Sequence, residues 1–496
     1  MKNIFIVFIW CLLLCFFGIS TLYSQNYGDA NDDGQVNIID ALITAQHYVG
    51  FNPDPFNAAN ADVDGQNGIN IIDALLIAQY YVGLIIVFPV RTTTDMEIVQ
   101  SDLERNMAPQ LETGEFDSVV EGNNRFAFDC FQQLKSEQTN LFYSPVSISF
   151  AMAMAYAGAN SNTEAEIANA MHFTLPEDRF HNAFNALDLT LTSKPTNPNP
   201  YMGEDIELHI VNSTWGQKDY VFQTPFLDIL AVNYGAGLNI VDFNSNPDGC
   251  RLLINDWVSD QTEQRINDLL PVGSIGTLTR LVLVNAIYFK ALWMLPFNEE
   301  KTEDGPFYLQ DGSVVTTPLM HHVLHTGYYE VPGQYQAVKL DYQGTNRNSM
   351  IIILPAAGQL TAFEDNFSYD TFMGIYQGLG QYKVTLTLPK FSYEWGKPLK
   401  SAFQAMGMTD AFDYQMADFS GITTIEQIYI SDIFHKAFVS VDELGTEAAA
   451  ATAVVFSGTG VPDPVTMTIE RPFIFLLCND DTGTILFVGR VLVPEL

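Results

Sequence analysis

The block Ile38–Gly50, IIDALITAQHYVG, returns as Ile71–Gly83, IIDALLIAQYYVG, with ten of thirteen positions identical and an offset of 33 residues. A repeat of this kind constrains the fold more than any composition does, because two like units have to be built and packed together. Each copy follows an acidic, turn-rich loop. In the first loop Asp29, Asn31, Asp33, Asn37 and Asp40 stand at positions one, three, five, nine and twelve, with the carbonyl of Gln35 at seven. A hard divalent cation takes six to eight oxygens in that spacing, so the loop is expected to bind Ca2+. Gly34 sits where the loop must turn sharply. In the same register the second loop offers Asp62, Asp64, Gln66, Asn70 and Asp73, plus the carbonyl of Gly68. Its turn position is Asn67 and its fifth-position ligand is the neutral Gln66, so weaker binding is expected there.

Two calcium loops, each leading into a helix, resemble a dockerin over residues 27–86. The resemblance implies a small all-α calcium module whose partner is a cohesin on a scaffold or cell surface. Many dockerins carry small hydroxyl residues before the last ligand, whereas this chain has Ile38-Ile39 and Ile71-Ile72. Those pairs are either core or partner-contacting. No Lys or Arg occurs between Lys2 and Arg91, so without calcium the eight acids of the module repel one another.

Upstream, Lys2 and a nearly unbroken apolar run from Ile4 to Ile19 read as a signal peptide, residues 1–24, cleaved after Ser24. The run is short for a membrane span, and the mature chain is expected to have none. Secretion follows, with the protein extracellular or attached to a surface complex. Acidic residues outnumber basic ones 58 to 22, giving a net charge of −36, which repels phosphate backbones and excludes nucleic acid as a partner. Cys130, Cys250 and Cys478 remain after cleavage and form no disulfide framework. Residues 87–118 lack a steady period and read as a linker.

From 119 to 496 helical and strand periods alternate, giving an α+β domain. Residues 125–135 and 147–158 read as helices; 281–290, 349–354, 383–388 and 484–493 read as strands. No G-x-S-x-G, H-E-x-x-H, P-loop or C-x-x-C pattern occurs. His321-His322-x-x-His325 would ligate zinc only on a helix, and it falls in a strand or turn pattern. Trp215, Trp257, Trp293 and Trp395 read as core. The unusual segment is Val441–Val455, VDELGTEAAAATAVV. It reads either as an Ala-rich helix or, with period two, as a strand with Thr446, Ala448, Ala450, Thr452 and Val454 on one face. Small side chains on that face would let it enter between other strands, where a charge would forbid entry.

This domain resembles a serpin over its whole length. Asn140–Ile148, NLFYSPVSI, is similar to the family's early helix signature. Leu283–Lys290, LVNAIYFK, with Trp293, is similar to its central strand, and His435-Lys436-Ala437 to the approach to its hinge. Glu470–Phe475 and Phe487–Arg490 are similar to its C-terminal strands. The resemblance implies a fold with a large central sheet and a mobile reactive loop, no cofactor, no enzyme activity, and inhibition of serine proteases as a suicide substrate. In that mechanism the loop is cleaved, the protease is trapped as an acyl-enzyme, and the hinge inserts into the sheet. It implies a hinge of Glu443, Gly445, Thr446, Glu447, Ala448, Ala449, Ala450 and Ala451. It also implies a polar cluster of Ser147, Asn285 and His435, and a pairing of Glu443 with Lys390 near Trp293. Counting on from Gly445 by the family's usual spacing points to Thr459-Gly460 as the reactive bond, whereas counting back from Pro472-Phe473 points to Val461. Pro462 disfavours cleavage after Val461, which leaves Thr459 preferred. No Lys or Arg lies between Glu443 and Arg471, so an elastase-like or subtilisin-like target is expected. The alternative implied by the same resemblance is a non-inhibitory carrier or structural subunit docked through calcium.

Overall fold

The computed structural model describes residues 28–63, 69–84, 96–193, 207–446 and 464–496. The chain divides into two compact units, Met1–Thr93 and Thr94–Leu496.

In the first unit the repeats form the helices Ile38–Tyr48 and Ile71–Tyr81. Each opens with a capping box. Asn37 and Asn70 accept the backbone N–H of Ile39 and Ile72, while Asp40 and Asp73 accept the N–H of Asn37 and Asn70 at 2.8 Å. The box satisfies donors that every helix start leaves open. The two helices pack together around Ala41, Val63 and Ile77. A core this small supplies little hydrophobic stabilisation.

The strands of the second unit are, in chain order, β1 Glu97–Val99, β2 Leu141–Tyr143, β3 Glu207–Gln217, β4 Leu238–Val241, β5 Leu281–Leu292, β6 Glu303–Tyr308, β7 Val314–Val331 and β8 Tyr335–Asp341. They continue with β9 Asn348–Pro355, β10 Gly380–Pro389, β11 Phe391–Pro398, β12 Ile433–Val441, β13 Gly445–Thr446, β14 Val465–Thr468, β15 Phe473–Asn479 and β16 Thr484–Val491. One sheet runs β1-β4-β3-β5-β13-β12-β11, and a second runs β14-β10-β7-β8-β9-β15-β16-β2 with β6 beside β7.

Helices cover both faces of the first sheet, which is why β5 is buried along almost its whole length and reads as a continuous apolar run. On one face lies the helix Pro145–Tyr156, wholly buried, with apolar residues on every side and two buried serines, Ser147 and Ser149. Ser144 caps it by accepting the Ser147 N–H at 3.2 Å, and Pro145 takes the first helical position, where no N–H is needed. On the other face the helix Pro247–Gln261 sets Cys250, Ile254 and Val258 against Val211, Trp215, Val282, Val284, Ala286 and Phe434.

The linker expected over 87–118 is corrected from Met96 onward, since that part belongs to the large unit. β1 pairs antiparallel with β4, the Ser101 hydroxyl donates to Asp228 at 2.5 Å, and Arg105 reaches Asn185 at 3.0 Å and Asp188 at 2.5 Å. One short edge strand, a few polar contacts and the scattered apolar side chains Val99, Leu111 and Phe116 dock this stretch, and their spacing leaves no hydrophobic period in the sequence.

Candidate functional site

The first sheet has a seam between β5 and β12. Below, the strands pair directly and in parallel, Ile433–Ala437 against Leu283–Ile287. Above, β13 enters as a wedge antiparallel to both, with Gly445 opposite Leu292 and Thr446 opposite Ala291 and Val441. Glu447, Ala448, Ala449, Ala450, Ala451, Thr459 and Gly460 lie outside the described residues. The chain is described again from Pro464 and continues into β14, parallel to β10 in the other sheet.

The wedge is anchored by its own turn. The Asp442 carboxylate accepts the N–H groups of Leu444 at 2.9 Å and Gly445 at 3.2 Å, and the Asp442 N–H donates to the Gly445 carbonyl at 3.0 Å. Trp293, fully buried and stacked on Tyr342 at 4.6 Å, donates its indole N–H to the Asp442 carbonyl at 3.0 Å. Tyr342 and Thr446 share a hydroxyl–hydroxyl bond of 2.8 Å. A Cβ on Gly445 would stand 2.1 Å from the Ala291 carbonyl oxygen, so a side chain is excluded there by contact with backbone. Beside the turn, Lys390 Nζ lies 2.8 Å from Glu443, which also accepts the Thr302 hydroxyl at 2.6 Å. Burial pushes the Glu443 carboxyl up, but the bonds from Lys390 and Thr302 outweigh it and hold it below the usual carboxylate range.

Lower down, Asn285 of β5 and His435 of β12 are register partners across the seam. Both point to the face carrying the helix Pro145–Tyr156. Asn285 Nδ2 donates to Ser147 Oγ at 2.6 Å and to Asn212 Oδ1 of β3 at 2.5 Å. His435 Nε2 accepts the Ser144 N–H at 3.1 Å, which places the ring proton on Nδ1, bonded to Asn285 Oδ1. Burial pulls this imidazole down to about 3, so it is neutral at ordinary pH. Ser147, Asn285 and His435 therefore meet in one cluster, while Lys390, Glu443 and Trp293 gather at the wedge. Asn212, Ser144, Thr302, Asp442 and Tyr342 were not singled out from sequence. Asn212, followed by the polar Ser213 and Thr214, carries no signal of its own in the sequence and is placed by its register opposite Asn285.

In the first calcium loop Asp29 accepts the N–H of Asp33 at 3.0 Å and of Gly34 at 2.8 Å, Asn31 accepts the Asp33 N–H at 3.0 Å, and Asp33 accepts the Gln35 N–H at 2.9 Å. Gly34 has φ +86, the conformation the turn required. Asn37 Oδ1 caps the helix, so one of its two lone pairs is already used. Asp40 is fully buried; burial first, then the charges of Asp29 and Asp33, push its carboxyl up against the hydrogen bonds from Asn37 and Asn31. Clustered oxygen donors with no basic residue among them fit a hard divalent cation. In the second loop Asp73 accepts the Val63 N–H at 2.9 Å and Asn70 caps its helix. Asp62 is also described, whereas Asp64, Gln66 and Gly68 lie outside the described residues. Ile38, Ile39, Ile71 and Ile72 are not core: each is about half exposed, at 52, 52, 52 and 53%. With Leu42 and Leu75 they line an apolar groove of about 520 Å³.

His321, His322 and His325 stand on β7, where neighbours alternate between faces and cannot converge. Trp215, Trp293 and Trp395 are buried and Trp257 packs partly buried against the core; among the described residues Cys130, Cys250 and Cys478 are free and buried.

A family model described as Serpin (serine protease inhibitor) matches residues 121–494. The chain belongs to the serpin family. A second model, Dockerin type I domain, matches residues 27–81, so the serpin carries a dockerin module ahead of it. Over 388 residues the serpin is 37% identical to an uncharacterized serpin-like protein of Thermococcus kodakarensis, covering 78% of this chain and 88% of that one. It is 34% identical over 388 residues to the human leukocyte elastase inhibitor, covering 76% of this chain and all of that protein. Among solved structures it resembles the thermophilic serpin tengpin in its native state, with a TM-score of 0.70 and 26% identity over 80% of this chain and 100% of that one. Human thyroxine-binding globulin complexed with thyroxine gives 0.69 and 28% over 77% and 100%. Serpins are in general protease inhibitors, with non-inhibitory members, and type I dockerins in general bind calcium. Among the described residues no helix is long and apolar enough to cross a membrane.

Proposed function

We propose that this serpin is a secreted suicide-substrate inhibitor of serine proteases, held on an extracellular, cellulosome-type complex by docking of its two-calcium dockerin into a cohesin. The observation that carries the inhibitory reading is the wedge. Gly445 and Thr446 already sit between β5 and β12, and the next residues, Glu447 to Ala451, include four alanines that add little bulk to an inserting strand. The protease serine attacks the Thr459 carbonyl, the amide bond to Gly460 breaks, and the freed Gly460 amine takes a proton from the protease's general acid. The acyl-enzyme is then carried away as the hinge enters the seam. The apolar stretch Val454-Val455-Phe456 and the lack of a basic residue before Arg471 favour an elastase-like or subtilisin-like target, and a human relative is named for elastase inhibition. The exposed isoleucine groove of the dockerin is the surface offered to the cohesin.

Incubation of the mature protein with subtilisin, elastase and chymotrypsin, read on denaturing gels and by mass of the released C-terminal fragment, tests this. A band at the summed mass, with a fragment beginning at Gly460, is expected. Cleavage without such a band across a wide panel would favour the second reading, a docked carrier, for which the thyroxine complex of a structural neighbour is the precedent.

A further inference from the structure

The face of the first sheet beneath the helix Pro247–Gln261 holds a group of side chains that neither the seam nor the loop uses. On β3 the odd positions Glu207, His209, Val211 and Trp215 share that face. Val211 and Trp215 pack under the helix, whereas Glu207 and His209 lie beyond that packing, half-buried. Exposed Glu263 comes from the loop that follows the helix, and one ligand atom from each of Glu207, His209 and Glu263 lies within 4.8 Å of the others. We propose that these three residues bind a zinc-class divalent transition metal. One imidazole and two carboxylates are a donor set such ions take, leaving a fourth position for water. Ligands roughly 2.1 Å from a tetrahedral ion stand roughly 3.4 Å apart, so small side-chain rotations close the site. Among the described residues Lys290, register partner of Glu207, sets a charge against it, its Nζ lying 3.0 Å from that carboxylate and competing with a cation. Tyr288, across from His209, contributes a ring at 5.8 Å.

The site gains meaning from where its loop goes. Past Glu263 the loop crosses the seam, and the Asn267 carbonyl accepts a bond from Lys436 Nζ of β12 at 2.6 Å. Farther on, Leu270 is tied back to the helix, its N–H donating to Asn255 at 2.8 Å. A metal on β3 thus fixes one end of a strap whose other end holds β12, and it opposes separation of β5 from β12. That consequence rests on the inhibitory reading; the binding does not.

The test uses the full mature chain in saturating calcium, so that the dockerin loops are occupied, with zinc as the calorimetric probe and cobalt as the absorption probe. One zinc per chain is expected. His209→Ala and Glu263→Gln each weaken it at least tenfold and abolish the cobalt band, and Lys290→Met tightens it by removing the competing ammonium. Zinc also slows hydrogen exchange in residues 262–270 of the wild type and not of Glu263→Gln, an exposed position where folding is not at stake. Absence of zinc binding, or binding that both variants retain, overturns the site. Binding without slowed exchange overturns the strap. No protease enters these measurements, so failure of the inhibitory reading and failure of the metal site are separately visible.

Discussion

Acid should destabilise the serpin unit through His435. Its ring is buried and neutral, with Nε2 accepting the Ser144 N–H; a proton there would set two donors face to face. Burial holds the imidazole at about 3, against about 6.5 in an unfolded chain. The folded value is the lower one, so between the two the unfolded state binds the extra proton. Stability is whole above about pH 6.5 and falls as the pH descends toward 3. At pH 5, about 1.5 units below the unfolded value, the loss is roughly 2 kcal/mol at about 1.36 kcal/mol per unit. His181, also brought to about 3 by burial, titrates in the same window, so a pH curve alone does not isolate His435. His435→Gln does, because a glutamine offers an oxygen to Ser144 and an N–H to Asn285 without titrating. Urea unfolding at pH 7.5 and 5, followed by tryptophan emission, is the assay. Trp215, Trp257, Trp293 and Trp395 all lie in this unit, and the remaining tryptophan of the sequence, Trp10, falls in the apolar N-terminal run that reads as a signal peptide. The wild type should lose roughly 2 kcal/mol more than the variant over that interval. Equal losses would refute a buried neutral imidazole at the seam.

Gly445→Ala forces a Cβ onto the Ala291 carbonyl and should cost roughly 1–3 kcal/mol in the urea titration as an overpacking change. Gly276→Ala, where a Cβ meets nothing within 4 Å, should leave the midpoint unmoved. Lys390→Met leaves Glu443, whose side chain is 7% exposed, with the Thr302 hydroxyl and its own backbone N–H but no cation to answer its charge, and should cost roughly 1–3 kcal/mol. Adding Glu443→Gln should recover part of that cost, which the double-mutant cycle reads directly. Chelation of calcium at neutral pH should lower helical circular dichroism from the Ile38–Tyr48 and Ile71–Tyr81 pair while leaving tryptophan emission unchanged; retention of that signal would mean the eight acids of the module do not need the cation.

The two repeat helices were legible because they rest on local spacing, and the cap residues Asn37 and Asn70 belong to the same repeated pattern. The strand at 281–290 was legible from an apolar run buried on both faces. The helix read as 125–135 begins ten residues earlier, at Glu115. Gly122-Asn123-Asn124 hid its middle, since these are poor helix formers. They are there for tertiary reasons: a Cβ on Gly122 would meet the His172 carbonyl at 2.6 Å, and Asn123 and Asn124 donate to the carbonyls of Ile485 and Gly483. Tyr342 and Thr302 were invisible for a related reason. Their roles exist only once β13 is in place, and the contact of Tyr342 with Thr446 spans 104 positions of sequence.

Two features bracket the β5–β12 seam, and they play opposite parts in the proposed function. The wedge is where a ladder can grow: β13 is antiparallel to both neighbours, so each further residue that enters gains bonding partners on two sides. What it displaces is a single parallel pair, Ile433–Ala437 on Leu283–Ile287, a pairing slightly weaker per residue than an antiparallel one. Insertion therefore exchanges one ladder for two, and the closed sheet is held by what must be broken before the second ladder forms. That is the Asn285–His435 contact with its ties to Ser147, Ser144 and Asn212, at the lower part of the seam. Because these bonds lie ahead of the advancing strand, their strength governs the rate of opening more than the final gain. Asn285→Ala should accordingly speed spontaneous insertion on heating, read as appearance of a form resistant to urea, whereas Gly445→Ala, acting on the wedge itself, should not. The reverse order of rates would place the latch at the top of the sheet.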